Sequence, residues 1–524
     1  MVARRRSAHP TRDAIDKVGA VHSDLSVDSR SLGGRELKAP CKTRRDTNGK
    51  TTTTATPSPI TANRLNEEYT MTDYSSGFRI EPTDTVQTAL ERAGSAITML
   101  WKTHAPAPAV PVVQPEFTDW EQEQQSWNRT VAFLDLSHHM TDLFIDGPDA
   151  VTLLTRVSAN NYEKFAVGQA KQFIAVSHDG WLIQDAILAR VGENSFVLTG
   201  IGTAHNWVAY HAAAGGDDVS LEWDYSSDIR RNDTPRLFRY QVQGPNAPEM
   251  LQTLFGDALD DIAFFHLKDV QLEGRPFQAI RHGMAGQPGF EFTGPWEHAE
   301  FVKDALLRAG EPVGLVQVGG RAYYTTGVDS GWLAAPVPAV YHDDAEKGFR
   351  SSVSIFSYEG MSPIQGSFYS PDIVDYYVNP YEVGYGRSIH LDHDFVGRDA
   401  LRLKKEDVRR KKVTLIWNAE DVDRVFGADR DLILSYTKDR VEKDGELVGI
   451  SEYAASSAAE GTVHSIARVD TAHAEPGTEL VLRWGFHPGP ADPGFDEFES
   501  IRVVVAPSPY NEYARQAYRA EAQR

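Results

Sequence analysis

The stretch Asp142-Leu143-Phe144-Ile145-Asp146-Gly147-Pro148-Asp149-Ala150 has the order of an apolar strand, a Gly-Pro turn and the start of a helix. The same order returns in Tyr240-Gln241-Val242-Gln243-Gly244-Pro245-Asn246-Ala247, where the turning glycine lies 97 residues further along the chain. Glycine permits a sharp turn, and proline fixes a φ angle that suits the first turn of a helix. A strand-turn-helix unit that occurs twice predicts an α+β fold built from duplicated halves.

Further periodic segments surround the two copies of this unit. A helix is predicted over residues 84–100, with Asp84 as its N-cap. Short apolar stretches that alternate with helical segments predict strands, and we expect two intertwined α/β domains over residues 76–400. These predicted strands are residues 172–176, 185–190, 195–199 and 277–281.

The character of the chain changes beyond residue 400. Short strands separated by turn residues replace the mixture of strands and helices, which is typical of a small antiparallel sheet or barrel. We therefore expect a C-terminal β-barrel domain over residues 401–524. Its predicted strands are residues 411–417, 446–450, 462–469, 479–484 and 501–506.

The N-terminal part of the chain differs in composition from the rest. Residues 1–50 contain twelve Lys or Arg and six Asp or Glu, in a chain whose formal net charge is -21. This part also lacks amphipathic periodicity, so we expect residues 1–75 to be a disordered basic extension. A basic targeting or nucleic-acid-binding tail is the alternative. Met71 offers a later start of translation, in which case the upstream residues are not part of the protein.

The overall composition narrows the class of protein. The 524 residues are 41% hydrophobic, which is enough for several cores, and the acidic charge disfavours nucleic acid and anionic membranes as partners. The single cysteine, Cys41, cannot form an internal disulfide, and no apolar run reaches the roughly 18 residues that span a bilayer. We therefore expect a cytoplasmic enzyme that acts on a small molecule, without a nucleic-acid or membrane partner.

The segment from Val318 to Trp332 concentrates reactive side chains around glycines. It contains Arg321, Tyr323 and Tyr324, and it closes with the indole of Trp332. A phenol has a pKa near 10 and exchanges a proton with another phenol at little cost. An indole offers a flat surface for a bicyclic ring. The pattern favours chemistry on an aromatic oxygen beside a flat cofactor, with either tyrosine as the proton donor.

Other candidate site residues are more ambiguous. His139 follows a predicted strand, Asp185 interrupts an apolar strand, and Glu291 follows a glycine-rich turn. A buried acid faces a cavity or caps a turn, and a carboxylate suits the N–H donors of an amino-pyrimidine. The stretch Asp392-His393-Asp394 has metal-ligand residue types, but it precedes a predicted helix and is expected to be a loop. We predict no metal site.

Several long stretches together resemble a known family. The chain is similar to the folate-binding aminomethyltransferase (glycine-cleavage T-protein) superfamily, and within it to the tetrahydrofolate-dependent aryl O-demethylases that act on vanillate, 3-O-methylgallate and syringate. The resemblance runs from about residue 85 to the C-terminus. It is carried by residues 111–117, 137–140, 241–245, 281–286, 321–323, 375–386 and 392–401.

The resemblance implies a three-domain cloverleaf with a central folate pocket. It implies Tyr323 as the catalytic residue and His139 as a contact of the aromatic substrate. Asp185 matches the acid that lies near the folate nitrogens in aminomethyltransferases. The implied folate contacts are Gln241, Glu291 and Trp332.

Two positions depart from the vanillate-type pattern. Ile201 stands where those proteins have an arginine for the substrate carboxylate, and Val110 replaces an aromatic residue at the pocket edge. Burying an unpaired carboxylate is expensive. Either another cation such as Lys171 replaces the arginine, or the pocket takes a bulkier or less anionic methoxyarene.

The resemblance implies an enzyme that transfers a methyl group from a lignin-derived methoxyarene to tetrahydrofolate, as a monomer or homodimer. The products would be a phenol and 5-methyl-tetrahydrofolate. Two alternatives remain: aminomethyl or sulfonium-methyl transfer from a small aliphatic donor, and folate binding without catalysis.

Overall fold

The computed structural model describes residue 81 and residues 83–101, 112–230 and 234–521. The predicted extension over residues 1–75 and Val110 lie outside these residues. The helices are α1 (Val86–Ala93), α2 (Ala96–Leu100), α3 (Trp120–Arg129), α4 (Ala150–Val157), α5 (Gly202–Gly215), α6 (Ser227–Arg230), α7 (Ala247–Phe255), α8 (Ala299–Gly310), α9 (Gly320–Tyr323), α10 (Thr326–Ser330), α11 (Lys347–Ser352), α12 (Tyr358–Met361), α13 (Arg398–Glu406), α14 (Ala419–Phe426) and α15 (Glu512–Glu521).

The strands are distributed over three sheets. They are β1 (Val131–Asp135), β2 (Thr141–Asp146), β3 (Gln169–Val176), β4 (Leu182–Gly192), β5 (Ser195–Gly200), β6 (Ser220–Asp224), β7 (Leu237–Gln243), β8 (Leu267–Leu272), β9 (Arg275–Ile280), β10 (Gly289–Pro295), β11 (Leu315–Val318), β12 (Arg410–Trp417), β13 (Leu434–Ser435), β14 (Asp439–Lys443), β15 (Glu446–Ser457), β16 (Thr462–Asp470), β17 (Glu479–Trp484) and β18 (Glu499–Ala506).

The first two sheets repeat one topology. One sheet has the order β3-β4-β5-β2-β6, and the other has the order β8-β9-β10-β7-β1-β11. Strands β2 and β7, the two copies of the repeated unit, occupy equivalent places, and each is followed by a helix, α4 or α7. The predicted duplication is therefore confirmed, and it generates two similar α/β halves.

The turning glycine of each copy is required by close backbone packing. Gly147 has φ +149° and Gly244 has φ +142°. A Cβ atom would lie 2.3 Å from the carbonyl oxygen of Asp218 at the first glycine and 2.4 Å from that of Thr130 at the second. Any larger residue would displace backbone, so both copies depend on glycine for the same reason.

The C-terminal strands close into a barrel, as predicted. The sheet order is β13-β15-β14-β17-β18-β12-β16, and an additional pairing between β15 and β16 closes six of these strands into a ring. Apolar side chains from facing strands, among them Val413, Leu415, Val441, Leu482 and Val503, fill its core. A closed barrel leaves none of its six strands with an unpaired edge.

The N-terminal helix differs from its prediction. The predicted single helix over residues 84–100 is interrupted at Gly94, which has φ +75°, and α2 restarts after Ser95. The N-cap of α1 is Thr85, whose hydroxyl accepts a hydrogen bond from the amide of Thr88. Asp84 instead pairs with Arg92 through its side chain. A left-handed glycine followed by a serine N-cap ends one helix and begins another.

The two faces of the six-stranded sheet differ in polarity. One face packs Phe238, Tyr240, Val242 and Phe292 against α7 and α8. Because side chains alternate along a strand, the residues between them lie on the opposite face. On β7 these residues are Arg239, Gln241 and Gln243, all of which are buried. A buried face of polar side chains is unusual and indicates the position of a functional site.

Candidate active site

A pocket lies at the ends of β1 and β11, where α9 begins. Its lining includes Leu134, His139, Val318, Gly319 and Tyr323. Gly319 brings two backbone segments together here, because a Cβ atom would lie 2.3 Å from the carbonyl oxygen of Pro115. The short helix α9 then directs the side chain of Tyr323 towards the pocket.

Tyr323 is buried, with 5% of its surface exposed. Its hydroxyl has no hydrogen-bond partner among the described residues, although the residue lines the pocket. Burial raises the pKa of Tyr323 well above 10, and neighbouring Tyr324, Tyr453 and Glu291 add to this effect, whereas Arg239 opposes it. The hydroxyl is therefore protonated at neutral pH and available to a ligand.

His139 contacts both adjacent tyrosines. Its ring centroid lies 4.7 Å from that of Tyr323 and 5.4 Å from that of Tyr324, in edge-to-face geometry. The hydroxyl of Tyr324 lies 3.5 Å from Nδ1 of His139. Burial lowers the pKa of His139 to about 4, and the positive charge of Arg239 contributes. The imidazole is therefore neutral at physiological pH.

Gln241 and Glu291 are direct neighbours across β7 and β10. Gln241 is fully buried, and its Oε1 accepts a hydrogen bond from the amide of Met284 at 3.0 Å. The Nε2 donor of Gln241 has no partner in the described structure. A free amide donor beside a carboxylate complements a ligand edge that presents an acceptor next to N–H donors.

Glu291 is held by two nitrogen groups. His282 Nε2 lies 3.0 Å from its Oε2, and Arg239 Nε lies 3.4 Å from its Oε1. Burial alone raises the pKa of Glu291, but the charges of His282 and Arg239 and the hydrogen bond from His282 outweigh burial and lower it. Glu291 is therefore an ionised carboxylate that retains accepting capacity.

Asp185 and Trp332 are joined by a hydrogen bond. The indole Nε1 of Trp332 donates to Asp185 Oδ2 at 2.9 Å, and the same oxygen accepts from Gln172 at 2.8 Å and from Tyr385 at 3.1 Å. Asp185 is 3% exposed, and burial raises its pKa despite these donors. The acid that interrupts the apolar strand therefore fixes the orientation of the indole.

The chain that forms this site is similar to known proteins over most of its length. The family model described as the GCVT N-terminal domain matches residues 94–336. A syringate O-demethylase of Sphingobium sp. is 36% identical over 449 residues, which cover 83% of this chain and 97% of that protein. The chain belongs to the GCVT aminomethyltransferase family. Membership of this family implies the use of tetrahydrofolate and confirms the resemblance inferred from the sequence.

Two further comparisons bear on the same assignment. A sesamin methylene transferase of Sinomonas sp. is 30% identical over 393 residues, which cover 70% of this chain and 82% of that protein. The aminomethyltransferase T of the glycine cleavage system from Bartonella henselae aligns with a TM-score of 0.50 at 17% identity. That alignment covers 75% of this chain and 90% of the other, and it confirms the predicted aminomethyltransferase-type fold.

The position that departs from the vanillate-type pattern lies at a helix start. Ile201 is the N-cap residue of α5 and has no side-chain group for an anion. Lys171, the suggested substitute cation, donates to the carbonyl oxygen of Asn161 at 2.5 Å and lies over the rings of Tyr162 and Phe165. Neither Ile201 nor Lys171 belongs to the lining of the pocket that contains Tyr323.

Three residues of the candidate site were not predicted from the sequence. Arg239 and His282 contact Glu291, and Tyr385 donates to Asp185. For Arg239 the sequence contained an indication, because Arg239, Gln241 and Gln243 alternate with apolar residues on a strand that is predicted to be buried. His282 and Tyr385 lie in stretches that carried the family resemblance, but the resemblance assigned neither residue a role.

Two groups of metal-ligand residue types lie outside the lining of the pocket that contains Tyr323. Asp392 accepts hydrogen bonds from Asn161, and His393 contacts the carbonyl oxygen of Ser158, as expected for a structural loop. Asp179, His342 and Asp343 place one ligand atom each within 4.8 Å of one another, and His342 pairs with Asp179 at 2.7 Å.

Within the described residues, no helix is long and apolar enough to cross a membrane.

Proposed function

We propose that this protein removes a methyl group from a methoxyarene of the syringate, vanillate or 3-O-methylgallate class and transfers it to N5 of tetrahydrofolate. The products are a phenol and 5-methyl-tetrahydrofolate. The observation that carries the proposal is the pocket in which the hydroxyl of Tyr323, without a partner among the described residues, lies beside the neutral ring of His139. The relation to a syringate O-demethylase supports the same reaction.

The buried polar face suits the pterin ring of a folate. Glu291 supplies an acceptor for the N–H donors of the amino-pyrimidine, and the free Nε2 of Gln241 supplies a donor for its carbonyl oxygen. The indole of Trp332, oriented by Asp185, offers a flat surface for stacking. When bound, tetrahydrofolate supplies the nitrogen nucleophile that accepts the methyl group.

Tyr323 is proposed as the general acid. When the O–CH₃ bond breaks, its electron pair remains on the aryl oxygen, and a phenolate in a buried site is unstable without a proton. The Tyr323 hydroxyl donates that proton, and the net reaction moves one proton from the folate nitrogen to the phenol. The tyrosine and the leaving group are both phenols, and burial disfavours the ionised form of each.

His139 is proposed to position the arene. Because its imidazole is neutral, it does not compete with Tyr323 as a strong acid, and its ring edge leaves an apolar wall for the aromatic substrate. Leu134 and Val318 complete that wall. The apolar side chains in this lining favour an aromatic donor over the small aliphatic donors of the alternative proposal, which offer less surface for such contacts.

The proposal is tested by incubating the full chain with tetrahydrofolate under reducing conditions. The candidate donors are vanillate, syringate, 3-O-methylgallate, guaiacol and a methylenedioxyarene, the last because of the relation to a sesamin methylene transferase. We expect a phenol and 5-methyl-tetrahydrofolate in equal amounts from at least one methoxyarene. Bound folate without any product would favour the non-catalytic alternative, and activity on dimethylglycine instead would favour the aliphatic one.

A further inference from the structure

A chain of buried polar groups connects the two α/β halves at the site. Thr199 Oγ1 donates to Asp142 Oδ1 at 2.5 Å, and Arg239 Nη2 contacts both Asp142 oxygens at 3.0 and 3.1 Å. Arg239 Nε then lies 3.4 Å from Glu291 Oε1, and His282 completes the chain from the other side. The first two residues belong to the five-stranded sheet, whereas Arg239 and Glu291 belong to the six-stranded sheet.

The central pair of this chain joins equivalent positions of the repeat. Asp142 precedes the turning glycine Gly147 by five residues, and Arg239 precedes Gly244 by five residues. The two halves therefore contact each other at the same place on β2 and β7. Identical charged residues at this contact would repel each other, whereas an acid and a base form an ion pair.

The guanidinium of Arg239 is held in a fixed position. The residue is 9% exposed, and its two contacts with Asp142 use both carboxylate oxygens. Asp142 is itself fixed by Thr199, so the position of Arg239 is set by the opposite half of the molecule. The Nε atom of its planar guanidinium then lies 3.4 Å from Oε1 of Glu291.

Glu291 needs such a neighbour to act as an acceptor. A buried carboxylate is costly unless it is paired, and it otherwise takes up a proton. Glu291 accepts a hydrogen bond from His282 on Oε2, and Arg239 Nε lies 3.4 Å from Oε1 as an ion pair. A carboxylate has about four acceptor positions, so capacity remains beside Gln241.

We propose that Arg239 is a positioning residue that keeps Glu291 ionised and aimed towards Gln241, so that this pair recognises the amino-pyrimidine edge of the folate. The inference rests on the proposed function. The charged and titratable groups around Glu291 are Arg239 on β7, His282 after β9, Tyr323 on α9 and, through Arg239, Asp142 on β2.

The test compares two variants of the same ion pair. Arg239→Gln removes the cation beside Glu291, whereas Asp142→Asn removes the other partner and leaves Arg239 in contact with Glu291. The Kd of 5-methyl-tetrahydrofolate is measured by calorimetry at pH 6, 7 and 8, together with the KM of the preferred methoxyarene. Arg239→Met, which also removes the charge, serves as a second variant if Arg239→Gln does not fold, and Arg239→Lys, which keeps the charge, is a further control.

For Arg239→Gln we expect the Kd to rise about tenfold at pH 7, since one charge-assisted contact of the acceptor is lost. Arg239→Gln removes one of the two charges that lower the pKa of Glu291 against burial, while His282 remains, so a larger fraction of Glu291 is protonated as the pH falls. The Kd should therefore rise further at pH 6, while the arene KM stays within about twofold. Asp142→Asn and Arg239→Lys should retain the flat pH dependence of the unmodified protein.

The pH dependence should also vanish when Glu291 cannot titrate. Glu291→Gln is expected to bind more weakly at every pH, and adding Arg239→Gln to it should introduce no further pH dependence. Equal, pH-independent losses in Arg239→Gln and Asp142→Asn would mean that the pair only joins the two halves, and the inference would be wrong. Failure of the unmodified protein to bind 5-methyl-tetrahydrofolate would instead overturn the proposed function.

Discussion

Replacing Tyr323 by phenylalanine tests the proposed general acid most directly. The substitution removes one hydroxyl that has no partner among the described residues, so no protein group is left unpaired. We therefore expect the free energy of unfolding to change by less than about 0.5 kcal/mol. Loss of a positioned general acid costs about 10²- to 10⁴-fold in rate, equivalent to about 3–5 kcal/mol in the activation free energy.

The assay measures kcat and both KM values from the appearance of 5-methyl-tetrahydrofolate. Tyr324→Phe is the matched control, because it removes the adjacent phenol, whose hydroxyl lies 3.5 Å from His139 Nδ1 and makes only a weak hydrogen bond there. We expect the Tyr323→Phe variant to lose kcat with unchanged folate KM and the control to retain kcat within about threefold. A Tyr323→Phe variant with near-normal kcat would refute the assignment.

Three further results follow from contacts in the structure. Trp332→Phe removes a donor to buried Asp185, and we expect a folate KM about tenfold higher and an unfolding free energy about 1–3 kcal/mol lower, measured by kinetics and urea denaturation. Arg468→Met leaves the buried Glu452 without its 2.7 Å partner, which should cost about 3–5 kcal/mol in the same denaturation assay. Burial lowers the pKa values of His139 and His464 to about 4. Both pKa values lie below that of histidine in the unfolded chain, near 6.5, so the unfolded chain takes up protons first as the pH falls. The free energy of unfolding should therefore be fully retained above pH 6.5 and should decrease as the pH falls towards 4, as measured by thermal denaturation across this range.

Much of the fold follows from local patterns in the sequence. The repeated strand-turn-helix unit predicted duplicated halves because the apolar periodicity and the Gly-Pro turn act within about a dozen residues. Closure of the barrel depends on the pairing of β15 with β16 and of β12 with both of its neighbours, and the alternation within each strand does not distinguish a closed from an open sheet. The break at Gly94-Ser95 had a local signal, but the apolar spacing on both sides of it favoured one continuous helix.

The site was predictable only in part, because its contacts join distant segments of the chain. The phenol-rich segment indicated Tyr323 or Tyr324, and local patterns indicated His139, Asp185 and Glu291. The family resemblance selected Tyr323 and added Gln241 as a folate contact. Their mutual geometry, such as the contact of Tyr323 with His139, depends on the packing of two strands that lie 184 residues apart. The roles of these residues remain predictions for the substitutions described above.

Duplication explains why the decisive charges of the site lie where the halves meet. A duplicated chain first brings identical residues together at equivalent positions, and two like charges there would be unstable without water. With Asp142 on one strand and Arg239 on the other, the contact becomes an ion pair whose acid lies in the first half and whose base lies in the second. The positive end of the pair faces Glu291 in the second half and not an equivalent acid in the first. The ion pair that joins the halves therefore also makes them unequal, because Arg239 and Glu291 both belong to the second half, whereas the first half contributes only Asp142, which holds Arg239 in place.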